Sequence, residues 1–142
     1  MQLSKFSDYS LRVLMFVGLR GDALSTVSQI ADAFDVSRHH LVKVTSRLVE
    51  LGLLQATRGR GGGLGLAIVP AEIGIGDVVR QTENLELVEC MRDDGGCVLT
   101  GSCKLQRALG RARDAFLASL DEVTLADLLR PAAPLRELLL ER

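Results

Sequence analysis

Between Val27 and Val69 the chain reads helix, break, helix, hairpin, an order that few small folds accommodate. Val27–Phe34 carries Ile30, Ala31 and Phe34 at helical spacing. Asp35–Val36 interrupts the pattern, and Ser37 is placed to cap the next helix. From Arg38 to about Leu51 the residues Leu41, Val44, Leu48 and Leu51 share one helical face, and Gly52 supplies a stop. Leu53–Thr57 and Leu64–Val69 flank the glycine-rich tip Arg58–Gly63, which predicts a β-hairpin ended by Pro70. The expected fold class is mainly α with a small β-hairpin: a winged helix-turn-helix unit joined to a long C-terminal dimerisation helix.

Such a unit presses the N-terminal residues of its second helix against base edges in the major groove. Here those residues are Arg38, His39 and His40, preceded by Ser37 and followed by Lys43 and Arg47. The wing tip carries Arg58 and Arg60 among glycines, and Gly61 and Gly62 let its backbone approach a phosphate or a minor groove closely. These ten residues are the candidate DNA contacts. Arg60 and Lys43 suit phosphates, which add affinity without sequence information. Arg38 and His39 suit base readout, whereas His40 is equally readable as a partly buried, hydrogen-bonded side chain. The chain's net charge of −1 argues against binding nucleic acid through bulk charge. Yet Val36–Gly65 holds five Lys/Arg and one acid, a local +4 that leaves −5 for the remainder. The bland alternative is a solvated helix beside a flexible hairpin. A phosphate-binding loop is excluded, because the glycine run shows neither G-x-G-x-x-G nor G-K-[ST].

Ahead of this unit, Phe6–Leu19 shows helical spacing at Phe6, Tyr9, Val13, Phe16 and Val17, with Ser7 as the expected N-cap. Behind it, Ile75–Thr82 reads as a short helix, so the winged unit occupies about 1–82, with the helix-turn-helix at about 27–51 and the wing at about 53–69. Residues 83–103 read as an irregular loop containing all three cysteines, Gly95, Gly96, Gly101 and the acidic pair Asp93–Asp94. Lys104–Leu120 is strongly helical, with Leu105, Leu109, Ala112, Phe116 and Leu120 in one stripe. Small residues at Ala108, Gly110, Ala112 and Ala115 would let a second helix approach, so 104–130 is expected to hold a dimer seam and a short cap helix begun by Thr124. The same stripe would also serve as an intrachain core face. Pro131 and Pro134 close that helix, and 131–142 is expected to be a C-terminal tail with one more loose turn or helix.

Cys90, Cys97 and Cys103 form C-x6-C-x5-C. Zinc fingers show C-x2-C pairs, and both histidines belong to the second helix of the winged unit, so zinc is disfavoured. Wide spacing in a glycine-containing loop lets a chain wrap a bulky centre, as an iron–sulfur cluster requires. A thiol switch without iron, an iron–sulfur carrier, and three unrelated buried thiols remain as alternatives. An enzyme is disfavoured, since no nucleophile–base pair or paired carboxylates stand out. The longest apolar stretch, Val13–Leu19, falls far short of the roughly 20 residues a membrane span needs. Asp8 and the lack of a small-residue cleavage site argue against a signal peptide, so a cytoplasmic location is expected.

Five segments together resemble the Rrf2 family of bacterial winged-helix regulators: KFSDYSLR (Lys5–Arg12), VSRHHLVKV (Val36–Val44), RGRGGGLGL (Arg58–Leu66), IGDVVR (Ile75–Arg80) and LVEC…CVLTGSCKL (Leu87–Leu105). The likeness runs to about Arg130 and is strongest to the nitric-oxide-sensitive repressors of that family. It implies a cytoplasmic homodimer on a two-fold symmetric double-stranded operator. It also implies one iron–sulfur cluster per subunit on Cys90, Cys97 and Cys103, [4Fe-4S] rather than [2Fe-2S], with nitric oxide as the signal. One branch uses a histidine shortly after the third cysteine as fourth ligand, and Lys104–Arg107 contains none. In the nitric-oxide-sensing branch a carboxylate from the first helix of the other subunit fills that place, and the matching residue is Asp8. A first-turn acid favoured by the helix dipole would explain Asp8 equally well. The cysteine spacing is closer to that of iron-responsive members, so iron or redox state is the alternative signal.

Overall fold

The computed structural model describes residues 2–92, 95, 97–99 and 101–141. Asp93–Asp94 and Gly96, part of the predicted cysteine loop, lie outside those residues. The first helix, α1 (Lys5–Arg20), runs through the centre, with Val13, Leu14, Phe16, Val17 and Leu19 buried. Its N-cap is Ser4 rather than Ser7: the Ser4 hydroxyl accepts the Ser7 N–H at 3.2 Å. Lys5 and Phe6 are compatible with helix, so the cap moves back one turn and Ser7 becomes a buried third helical residue.

Helix α2 (Val27–Phe34) starts at Thr26, which forms a reciprocal capping pair with Gln29. Asp35 takes the left-handed conformation (φ 51°) and turns the chain. Helix α3 (Arg38–Glu50) follows Ser37, which holds the N-cap position without a side-chain cap bond. Leu41, Val44 and Leu48 on α3 pack with Ile30 and the α1 core residues. Strands β1 (Leu54–Thr57) and β2 (Gly63–Leu66) pair antiparallel, Leu54 opposite Leu66 and Thr57 opposite Gly63. The hairpin is shorter than its apolar runs predict, because the chain turns into a 3₁₀ turn at Pro70–Glu72. Ser25, between α1 and α2, exchanges two backbone bonds with Leu64 (2.9 and 2.7 Å) and fixes the wing to the body.

Helix α4 (Ile75–Thr82) is followed by a 3₁₀ turn at Glu89–Met91, and the other described residues before α5 lie outside helices and strands. Helix α5 (Lys104–Asp121) buries only Leu117 among its described residues. The predicted stripe meets this chain's core at its C-terminal end, where Leu120 packs on it, while Leu105 is 65% exposed, Ala112 is exposed, and Leu109 and Phe116 are half-buried. Helix α6 (Leu125–Leu128) is capped by Thr124 paired with Asp127. The end of α5 is stitched to the start of α4, with Val123 accepting from Ile75 N–H (2.9 Å) and Ile73 from Leu125 N–H (2.8 Å).

Residues Ala132–Leu140 form a docked helix, α7. Leu139 and Leu140 pack on the core, and Arg136 Nε donates to the Leu19 carbonyl at 3.2 Å. Pro134 does not break it, because it lies in the first turn, where backbone N–H groups have no intrahelical partner.

Candidate nucleic-acid interface and cysteine loop

Burial of Leu41, Val44, Thr45 and Leu48 sets the rotation of α3 about its axis. The opposite side is thereby presented outward: Ser37, Arg38, His39, His40, Lys43 and Arg47 are all exposed. His40 is not the partly buried, hydrogen-bonded residue that was one reading of it. It is exposed and stands beside Tyr9, with ring centroids 6.4 Å apart. Arg47 is engaged by Glu50 at 3.2 Å, so its charge is partly offset at the end of the helix.

Wing residues Arg58, Arg60 and Gly61 are exposed. Gly59 and Gly61 have φ of +97° and +79°, where an L side chain is strained. At Gly62 a Cβ would collide with the Thr57 carbonyl, so the tight tip depends on glycine there. The result is a short, tightly turned loop carrying two arginines.

Two residues on this face escape a reading based on charge and motif. Lys5, at the start of α1, shares a small cavity of about 110 Å³ with Tyr9, His40 and Lys43 and adds a cation beside α3. Val42 is 53% exposed on the otherwise polar outer side of α3. The signal for Val42 was an apolar residue outside the Leu41–Val44–Leu48 register.

Cys90 and Cys103 are partly buried, Cys97 is exposed, and none is in a disulfide. Cys103 is the N-cap of α5, and its Sγ accepts the Gln106 N–H at 3.5 Å. The Gln106 side-chain amide donates to the Cys90 carbonyl at 2.6 Å, joining the two ends of the loop. The expected convergence of three thiols is not found in the single chain. Among the described residues, no three His, Cys, Asp or Glu side chains come close enough to hold a metal. Asp8 lies in the first turn of α1, half-exposed, in a two-point ion pair with Arg12 (2.9 and 2.8 Å). It lines an open depression of about 470 Å³ together with Lys5, Tyr9 and Arg12.

A family model described as "Rrf2: Iron-dependent Transcriptional regulator" matches residues 3–131. The chain belongs to the Rrf2 family. Over 145 residues it is 52% identical to the HTH-type transcriptional regulator NsrR of Geobacillus kaustophilus, covering 100% of this chain and 99% of that protein. Over 142 residues it is 46% identical to NsrR of Shouchella clausii, covering 98% and 95%. Its fold is similar to that of CymR, the global cysteine regulator of B. subtilis, at a TM-score of 0.74 and 30% identity over 90% of this chain and 95% of that one. It is similar also to T. potens IscR, at a TM-score of 0.72 and 25% identity over 93% and 88%. This Rrf2 protein is thus a DNA-binding transcriptional regulator with the winged-helix fold, not an enzyme. No helix of the described residues is long and apolar enough to cross a membrane.

Proposed function

We propose that this Rrf2 protein is a cytoplasmic repressor that binds a two-fold symmetric operator as a homodimer and lets go when nitric oxide reaches an iron–sulfur cluster. The observation that carries the DNA half is the outward row Arg38, His39, Lys43 and Arg47 on α3, flanked by Arg58 and Arg60 on a glycine-built wing. The helix would read bases and the wing would grip phosphate, as the two element types do in winged-helix proteins. The apolar surface left open at Leu105 (65% exposed) and Leu99 (59% exposed) supports α5 and its preceding loop as the seam between two copies.

The donor set suits an iron–sulfur cluster, and the likeness to the family's nitric-oxide-sensing branch favours [4Fe-4S] over [2Fe-2S]. Three thiols outside any disulfide lie within fourteen residues of one another, and Cys103 is the N-cap of the 18-residue α5. Cys90, Cys97 and Cys103 would be the sulfur ligands, and Asp8 of the other subunit the fourth. When bound, the cluster would supply iron that reacts with nitric oxide. A carboxylate oxygen is a harder ligand than thiolate, so Asp8 would be the most readily displaced of the four ligands. Asp8 belongs to the helix on which the winged unit is built, so its attachment would tie that unit to the loop of the other copy. Releasing it would free the two α3 helices from their operator spacing of about 34–36 Å. A difference of roughly 3 kcal/mol between the two forms changes occupancy more than a hundredfold.

Titration of the anaerobically purified protein with nitric oxide, followed by operator binding, tests this directly. Loss of binding in step with loss of the cluster's visible absorbance is expected. Unchanged binding after the absorbance has gone contradicts it. A second reading, an iron-responsive regulator, is favoured by the family's description as iron-dependent. Release of the operator on iron chelation, with binding that persists when nitric oxide is supplied to the iron-loaded protein, would select it.

A further inference from the structure

Val42 occupies the outer side of α3 and is 53% exposed. The inward positions of that helix are filled by Leu41, Val44, Thr45 and Leu48, so Val42 has no core to join. Residues His39, Lys43 and Ser46 share its side at the i, i+3/i+4, i+7 spacing of a single helical face, and all are exposed. A β-branched residue in an exposed helix position carries a propensity penalty relative to alanine, lysine or glutamate. A lone exposed valine is ordinary on a protein surface. This one lies among Arg38, His39, Lys43 and Arg47 on α3, all exposed.

The charges select a polyanion, and the helix selects a groove wide enough to admit it. At the base edges of the major groove, the apolar group on offer is the C5-methyl of thymine. We propose that Val42 is a specificity-determining residue that reads a thymine methyl by direct van der Waals contact. The inference rests on the DNA-binding reading of α3 and adds which base the helix prefers at one position of each half-site. Arg38 and His39 would discriminate through hydrogen bonds, Val42 through shape and desolvation.

The test uses full-length protein and its best duplex, obtained by selection from a random pool. Each thymine of one half-site is replaced in turn by deoxyuridine, which removes only the C5-methyl. The wild-type protein is expected to bind roughly fourfold more weakly at one position, the equivalent of about 0.8 kcal/mol for one buried methyl-sized group. Val42→Ala should bind the thymine operator about fourfold more weakly and no longer distinguish thymine from uracil. Val42→Thr, which keeps a methyl at that place, should retain the distinction. Affinity for a non-cognate duplex should be equal for all three proteins. Wild-type indifference to every uracil replacement overturns the proposal, as does a Val42→Ala protein that still discriminates. A wild-type protein that enriches no sequence at all would instead remove the DNA-binding reading beneath it.

Discussion

Arg80 on α4 holds Asp121 at the end of α5 through both terminal guanidinium nitrogens, Nη2 at 2.7 Å. The winged unit thereby meets the helix that follows the cysteine loop at a two-point joint. Gly76 lies directly beneath it: a Cβ there would run into the Asp121 carboxylate. Two opposed terms act on Gly76→Ala: a helix-propensity gain of up to about 1 kcal/mol, and the small cost of displacing the part-exposed Arg80–Asp121 pair. In the wild-type background the two offset, and the melting temperature should change little. In an Asp121→Ala background the carboxylate is gone, and the same change should be stabilising. Thermal unfolding of the four proteins measures that coupling. Equal effects in both backgrounds would contradict the joint.

Glu83, after α4, closes a second link by accepting the Ser4 N–H at 2.7 Å, across 79 positions of sequence. Burial pushes its carboxyl up, but hydrogen bonds from the Ser4 N–H, the Ser7 and Ser4 hydroxyls and the Asn84 N–H outweigh it and hold the carboxyl below its usual value. A carboxylate lowered in the folded state stabilises fully above the unfolded value of about 4.3, and that stability is lost as pH falls through the lowered value. Glu83→Gln should therefore cost about 1 kcal/mol at pH 7, discounted for partial exposure, and progressively less as pH falls through the lowered value. Urea unfolding over a pH series checks it.

On the DNA face the cations should separate by role. Arg60→Ala should weaken binding to all sequences alike and reduce the slope of log affinity against log salt by about 1. Arg38→Ala should cost roughly 1–3 kcal/mol at one operator position and relax specificity there. Glu50→Gln, which releases Arg47 from its ion pair, should strengthen binding to non-cognate DNA several-fold, most at low salt. Fluorescence anisotropy on cognate and scrambled duplexes over a salt series resolves all three.

Leu48 is fully buried where α3 meets the core. Leu48→Ala should cost about 2–5 kcal/mol and lower the urea midpoint, through a cavity beneath the α3 helix.

The elements that position α3 were legible because local signals and burial agree there. Val27–Phe34 and Ile75–Thr82 are found at the predicted bounds, and the second helix ends within a residue of its expected stop. The start of α1 was misplaced because Ser4 and Ser7 offer the same capping chemistry, and only the burial of Ser7 separates them. The docking of α7 was hidden by Pro134, whose effect depends on its distance from a helix start that no strong cap announces. The stripe on α5 was legible as an apolar pattern, but periodicity does not say whether a neighbour is the same chain or another. Cysteine spacing names the donors that can reach one centre. In the proposed cluster site their mutual geometry would be fixed by bonds to the metal and not by the chain's own pattern.

Whether the cluster governs the grip on DNA is decided by operator affinity of the anaerobically purified protein before and after its iron is removed, with Cys97→Ala alongside. Tight binding by the iron-containing wild type is expected, with a loss of a hundredfold or more both on iron removal and in Cys97→Ala. Affinity for scrambled DNA should stay the same throughout. Equal operator affinity in all three states would contradict a cluster-controlled repressor.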